Sequence, residues 1–229
     1  MIRGGTIGRG FDDATFDTFE VTDQNRAALG ACQRVAEGES DGVILIGPVG
    51  VGKTHLLVAT AREFEGLVTG PVDEGEMVAV DWRELVRTAA EEPDDASDAP
   101  PVLDPSEMRS RLRVEYWPIL DLVAELRGEI RAGEVRLSER CRTCDLLILD
   151  DFGQERNTDF VLEELERIID HRYRDRMPIA VSTNLPLRAI RGKYGDRAVS
   201  RWAEQCEIVE IGGPDMRAVK RERSVAGRV

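Results

Sequence analysis

The octapeptide Gly47-Pro-Val-Gly-Val-Gly-Lys53-Thr54 constrains this chain more than any other stretch. It fits the pattern G-x-x-x-x-G-K-[ST], and its flanks fit too: an apolar run, Val43–Ile46, leads in, and a helix-like segment, His55–Ala61, leads out. A strand–loop–helix of this kind is a phosphate cradle. Gly47, Gly50 and Gly52 let the backbone bend so that its N–H groups converge on phosphate oxygens. The following helix adds its N-terminal donors and the positive end of its dipole. Lys53 would reach the β- and γ-phosphates, and the Thr54 hydroxyl would coordinate Mg²⁺. The candidate nucleotide contacts are therefore Gly47, Pro48, Val49, Gly50, Val51, Gly52, Lys53, Thr54 and His55. A glycine turn with an incidental lysine is the plain alternative, and both flanks argue against it.

A second element carries chemistry of the same kind. Leu146-Leu-Ile-Leu149 is apolar throughout, as a strand buried on both faces must be, and it ends in Asp150-Asp151. The carboxyl end of such a strand is where an open α/β sheet places its ligand. Asp150 would hold the Mg²⁺ shell and Asp151 would polarise the attacking water. Asn184, in Ser182-Thr-Asn184, follows the next expected strand, where a carboxamide could orient the same water. Alone, Asp150-Asp151 reads as a polar turn and Asn184 as a turn residue before Leu185-Pro186.

With 229 residues, 41% of them hydrophobic, the chain can bury a core and is most simply one α/β domain. No apolar run approaches the roughly 18 residues that cross a bilayer, and Met1–Thr6 lacks a secretory h-region. A cytoplasmic location with no membrane partner is expected. The net charge of −13 argues against a generally DNA-coating surface. Of the 31 basic residues only Lys53, Lys193 and Lys220 are lysine, and arginines cluster in the second half. Local patches for nucleic acid stay possible, while a compositional bias explains the arginines equally well. Of the four cysteines only Cys141 and Cys144 have metal-ligand spacing, and nothing completes a zinc set, so reduced thiols are expected.

The pattern predicts helices over Asn25–Ala36, Lys53–Phe64, Trp82–Ala90, Glu107–Tyr116, Ile119–Arg131, Asp159–Tyr173 and Arg197–Ala203. Leu120, Val123, Leu126 and Ile130 would share one apolar face, and Leu162, Leu165, Ile168 and Ile169 another. Strands are expected at Val43–Ile46, Met77–Val80, Leu146–Leu149, Pro178–Thr183 and Glu207–Ile211. Strands alternating with helices imply a three-layer α/β fold with a mainly parallel sheet. Residues 91–106 are acidic and proline-rich and read as an exposed insertion, either a solvated loop or a partner-binding element.

Phe16-Asp-Thr-Phe19, the Gly47–Thr54 loop, Leu146–Gly153 with Glu155, Ser182-Thr-Asn184, Asp196–Arg201 and Gly213-Pro-Asp-Met-Arg217 stand in the order seen in AAA+ ATPases. The chain resembles the DnaC/DnaI helicase-loader and IstB transposition-helper branch over about residues 11–217. The resemblance implies an AAA+ P-loop core over 21–217 without a separate C-terminal helical lid. An N-terminal extension, 1–20, would lead into the nucleotide site, and 218–229 would form a basic tail. It implies that Arg201, or Arg197 in its place, is an arginine finger reaching the γ-phosphate of a neighbouring subunit. Arg217 would act on nucleotide in its own subunit. It implies ATP and Mg²⁺ as cofactors and an ATP-dependent oligomer, a hexamer or spiral. The partners would be a replicative helicase or a transposase and single- or double-stranded DNA. Asp151 stands where many AAA+ enzymes carry glutamate, so slow turnover that depends on oligomerisation is expected.

Three functions fit these residues. The first is a helicase loader or transposition helper, with Arg109, Arg111, Arg113, Arg127 and Arg131 as a DNA-contacting set or merely a charged helix face. The second is a P-loop kinase acting on a small molecule. The third is an ATP-gated scaffold that scarcely hydrolyses.

Overall fold

A computed structural model describes residues 2–66, 112–134, 136–156 and 158–219. The expected strand at Met77–Val80, the helix at Trp82–Ala90 and the 91–106 insertion lie outside them, as does most of the basic tail. The elements run β1 (Arg3–Gly4), a 3₁₀ turn (Arg9–Phe11), α1 (Arg26–Ala36), β2 (Gly42–Ile46), α2 (Lys53–Gly66), β3 (Val114–Pro118), α3 (Ile119–Arg131) and α4 (Arg136–Thr143). Then come β4 (Leu146–Phe152), α5 (Asp159–Arg174), β5 (Ile179–Thr183), α6 (Leu187–Gln205) and β6 (Glu207–Glu210). The six strands lie in the order β1-β3-β4-β5-β2-β6, and each pairing is parallel.

Strand alternation builds the three layers. Val43 and Leu45 of β2, with Leu146 and Ile148 of β4, face α1 and α2 and meet Ala31, Val35, Leu57 and Phe64 there. Ile44, Leu147, Leu149 and Val181 point the other way, onto Leu122 of α3, Leu137 of α4, Leu165 of α5 and Trp202 of α6. Successive side chains on a strand point to opposite faces, so strands covered on both faces are apolar throughout. All five residues of β2 and of β5 are accordingly buried. Arg172 of α5, fully buried, donates to the carbonyls of Cys141 (3.0 Å), Cys144 (2.9 Å) and Pro178, and so ties the end of α4 to the start of β5. A cation at a helix C-terminus meets the unpaired carbonyls there.

Several expectations need correction. The expected helix Glu107–Tyr116 ends inside β3: Val-Glu-Tyr-Trp is β-branched and aromatic and fits a pleated, covered strand. Its charged member, Glu115, is buried but paired with Arg140 at 2.8 Å. The inward face of α3 is Ile119, Leu122, Val123 and Leu126, whereas Leu120 and Ile130 are 52% and 41% exposed. On α5, Val161 replaces Leu162 in the core. Helix α4 has no counterpart among the helices expected from the sequence because only Leu137 and Cys141 of its eight residues are apolar core members. Helix α6 is longer than Arg197–Ala203 and is broken at Gly195 (φ 85°, ψ 165°). The sequence pattern also suggests that the phosphate loop and Asp150-Asp151 sit on neighbouring strands, but β5 separates β2 from β4. All four cysteines are buried free thiols, and burial pushes Cys32 up to about 12. No described helix is long and apolar enough to cross a membrane.

Candidate functional site

The carboxyl ends of β2, β5 and β4 lie side by side, which places Gly47, Asn184 and Asp150-Asp151 along one edge of the sheet. Two glycines of the loop after β2 have positive φ. Gly50 has φ +88° and a Cβ there would lie 2.1 Å from Asp215 Oδ1, while Gly52 has φ +101° and a Cβ there would lie 2.7 Å from Phe19. Both conformations are ones that L side chains rarely adopt. Val51 tucks into the core and Val49 stands out at the loop's crown, 56% exposed.

Lys53 opens α2 with its ammonium buried in the crook of the loop. Nζ donates to Gly47 O (2.8 Å), Pro48 O (2.7 Å) and Asn184 Oδ1 (2.7 Å). Burial lowers its pKa, opposed by the negative charges of Asp151 and Asp150. Asp150 is 4% exposed and held on both oxygens. Oδ2 accepts from Tyr116 OH (2.8 Å), and Oδ1 accepts from the Ser182 hydroxyl and from Asp151 N–H (3.1 Å). Burial and Asp150 together push the Tyr116 phenol well up, so it stays a donor.

Asp151 sits in the left-handed region at φ 56°, where the pairing of β4 with β5 slips between Leu149 and Phe152. A non-glycine residue there carries local strain, and such strain clusters at sites where a side chain is re-aimed. The slip turns Asp151 toward the cleft, with N–H bonded to Ser182 Oγ (2.9 Å) and Oδ1 3.5 Å from Asn184 Nδ2. Burial first, and then Asp150, raise its pKa.

Lys53, Asp151 and Asn184 line a cleft of about 390 Å³ whose other walls include Phe11, Phe19, His55, Gln154, Met216 and Arg217, while Asp150, Tyr116 and Ser182 are buried and do not line it. The N-terminal segment forms part of the wall because Arg62 of α2 pins it, donating to Phe11 O (3.1 Å), Asp12 O (2.7 Å) and Ala14 O (2.8 Å). His55 packs on Phe19 with ring centroids 5.3 Å apart, and its Nε2 lies 2.8 Å from Thr15 O. After β6, Met216 N–H donates to Gly50 O (3.0 Å), which brings Arg217 to the cleft. The cleft thus combines aromatic and apolar walls with the polar groups Lys53, Asp151, Asn184 and Arg217, the mixture that a base with its phosphates requires.

The structure does not bring Arg201 to this cleft. Arg201 is ion-paired with Asp170 of α5, with its guanidinium 5.5 Å from the Tyr173 ring centre, and Arg197 lies 3.7 Å from the same carboxylate. Among the arginines read as a possible DNA set, Arg113 donates to Thr143 O (2.7 Å) and Arg127 lies 3.5 Å from Thr158 Oγ1, while Arg109 and Arg111 fall outside the described residues. Tyr116, Ser182 and Gln154 join the site without having been expected there. Ser182 had a usable signal, since it lies on β5 two positions before Asn184, which follows the strand. Tyr116 had none, because its place beside Asp150 depends on the pairing of β3 with β4.

Oxygen donors dominate the Mg²⁺ candidates, Thr54 and Asp150. Beside them Asp151 is an uncomfortable second carboxylate whose charge a divalent cation would relieve. The set fits Mg²⁺, which takes one or two carboxylates and completes its shell with phosphates and water.

Comparison with known proteins agrees with this geometry. The family described as IstB-like ATP binding protein matches residues 102–225, more than half of the chain. The chain belongs to that family. Residues 12–70, which carry the phosphate loop, match the bacterial DnaA ATPase domain. Among relatives, the phage-like element PBSX protein XkdC of Bacillus subtilis (strain 168) is 25% identical over 186 residues, covering 79% of this chain and 53% of XkdC. The chromosomal replication initiator DnaA of Campylobacter jejuni is 23% identical over 208 residues, 88% of this chain and 37% of DnaA. The chain thus spans about half or less of these relatives' length. Among solved structures, the DnaC helicase loader superposes with a TM-score of 0.62 at 23% identity, over 90% of this chain and 100% of that one. DnaA bound to AMPPCP and single-stranded DNA gives 0.64 at 20% identity, over 89% and 51%. The fold is therefore that of an AAA+ P-loop NTPase. Among the described residues, β6 is followed by a helical turn at 216–219.

Proposed function

We propose that this chain is an ATPase whose nucleotide site is completed by a second copy of itself, acting as an accessory factor that loads a replicative helicase on single-stranded DNA. The observation that supports it most is a division of labour. Lys53, Asp151, Asn184 and Arg217 converge on one cleft, whereas Arg201 sits outside it on α6.

In this reading Lys53 and Arg217 neutralise phosphate charge and Asn184 orients water against the γ-phosphorus. Asp151 accepts the water's proton, a role helped by its raised basicity. The bond from the γ-phosphorus to the bridging oxygen breaks, leaving ADP and phosphate. Mg²⁺, held through Thr54 and Asp150, would supply charge neutralisation on the phosphates. Arg201 of a neighbour would add a guanidinium to the equatorial oxygens, worth about 10³–10⁵ in rate where such fingers are measured. Residues 1–20 close the base end of the site, and 21–217 form the ATPase core.

DnaC is a helicase loader and DnaA is seen bound to single-stranded DNA, and likeness to both supports the choice of partner. The IstB-like match supports a second reading, a transposition helper that activates a transposase on DNA. Affinity capture on the immobilised chain in ATP and in ADP separates them: a hexameric helicase retained in a nucleotide-dependent way supports the first, and a transposase supports the second. If Asp151→Asn left turnover unchanged while Lys53→Ala abolished binding, an ATP-gated scaffold with little hydrolysis would be the better description.

A further inference from the structure

Two of the chain's three lysines lie among the described residues, and they are used alike. Lys53 gives three hydrogen bonds to acceptors around the phosphate loop. Lys193 gives its own to the loop after Asp151: Gly153 O (2.6 Å), Glu155 O (2.6 Å) and Glu155 Oε1 (2.7 Å). A compact ammonium with three divergent donors suits such a pocket in a way that a planar guanidinium does not. The Glu155 side chain is fully buried and has three partners: Lys193, the Tyr194 hydroxyl and Gly153 N–H (3.0 Å). A buried charge so completely satisfied fixes geometry rather than adding much stability.

The loop held in this way links Asp151 to α6. Gln154 lines the nucleotide cleft, and Phe152 packs on Tyr194 (4.6 Å between ring centres) and on Trp202 (5.0 Å). Tyr194 and Trp202 stand on opposite sides of the break at Gly195. The tip of β4 therefore grips α6 before the break through Lys193 and Tyr194, and after it through Trp202. Arg201 is the residue next to Trp202.

We propose that Glu155 and Lys193 form a clamp that fixes the loop after Asp151 on the proximal half of α6 and, through Phe152 packed on Trp202, positions the distal half and with it Arg201 relative to the chain's own nucleotide site. They are positioning residues for the reaction in the neighbouring subunit, and this rests on the intersubunit reading given above. Static contacts carry the coupling: β4 tip to clamp, clamp to α6, α6 to guanidinium.

Subunit mixing tests it. Asp151→Asn chains cannot hydrolyse but offer Arg201, and Arg201→Ala chains can hydrolyse but lack it, so the mixture should regain turnover that neither has alone. The clamp is removed as Lys193→Met/Glu155→Gln, which leaves no buried unpaired charge, and nucleotide affinity and the melting temperature are followed to show that the chain folds. Placed in the Asp151→Asn donor, the clamp variant should lower the regained turnover by up to about 100-fold, the scale of a catalytic group misplaced by about 1 Å. Placed in the Arg201→Ala chain it should lower it less. Equal losses, or a loss confined to the Arg201→Ala chain, would show that the clamp serves only its own site and would overturn the proposal. Failure of the unaltered pair to regain turnover would sink the intersubunit reading itself, and the clamp's role with it.

Discussion

Lys53 and Asn184, 131 residues apart in sequence, are hydrogen-bonded to each other, Nζ to Oδ1 at 2.7 Å, across the tips of the adjacent parallel strands β2 and β5. The cation that holds phosphate and the carboxamide that faces water are thereby set as one unit. Lys53→Ala should weaken ATP binding by about 100-fold, as loss of a charge-assisted phosphate contact predicts, with the fold intact. Asn184→Ala should instead lower kcat by about 10²-fold with KM little changed, because its contact is made to the attacking water. Nucleotide titration and steady-state ATPase assays on the two variants check this; a KM effect alone at Asn184 would remove the water-orienting role.

Tyr116 should matter through one atom. Tyr116→Phe keeps the packing of β3 and deletes the hydroxyl that donates to buried Asp150, so it should cost about 1.5–3 kcal/mol, the range for a hydrogen bond to a charged group. Denaturant unfolding measures it, and a cost near zero would mean that Ser182 and the Asp151 amide alone hold that carboxylate.

The raised pKa of Asp151 has two consequences of opposite sign. As pH falls through that value, above the ordinary 3.8, Asp151 takes up a proton and turnover drops while nucleotide binding persists. For stability, ionised Asp151 costs the folded state wherever pH exceeds its folded pKa, because the unfolded chain carries the charge more easily. Asp151→Asn should therefore raise the melting temperature at pH 7 while abolishing turnover. Calorimetry and a pH–rate profile test both, and an unchanged or lower melting temperature would contradict the assigned cause.

Arg34 and Glu207 join α1 to β6 by two bonds of 2.8 and 2.6 Å. The guanidinium holds Glu207 below its ordinary 4.5, so the pair's contribution is present above that value and disappears as pH falls through the lower, folded one. Both side chains are more than a third exposed, which limits the contribution to about 0.5–1 kcal/mol and makes it sensitive to salt. Arg34→Met should lower stability by that amount at pH 7 and by progressively less in denaturant unfolding as pH falls below 4.5.

The nucleotide loop, Asp150-Asp151 and Asn184 were legible in the sequence because each is a short local pattern at the end of a continuous apolar strand. Sheet order was not. That β5 divides β2 from β4 comes from long-range pairing, which no window of residues encodes. For the same reason Tyr116 and the Lys193–Glu155 clamp were invisible: each depends on which strand or helix lies alongside. Two errors had local causes. Val114–Tyr116 reads as part of a helix because its charged neighbours mimic a helical face, and α4 is hard to see because only two of its residues are apolar core members. The kink in α6 could have been anticipated from Gly195, which alone allows φ 85° without strain.

Turnover per subunit as a function of protein concentration tests the central claim, that the site assembled by Lys53, Asp151, Asn184 and Arg217 is completed by Arg201 of a second copy. Turnover should rise with concentration in the native chain and stay low and flat in Arg201→Ala, with ATP affinity preserved. Concentration-independent turnover, equal in the two proteins, would contradict it.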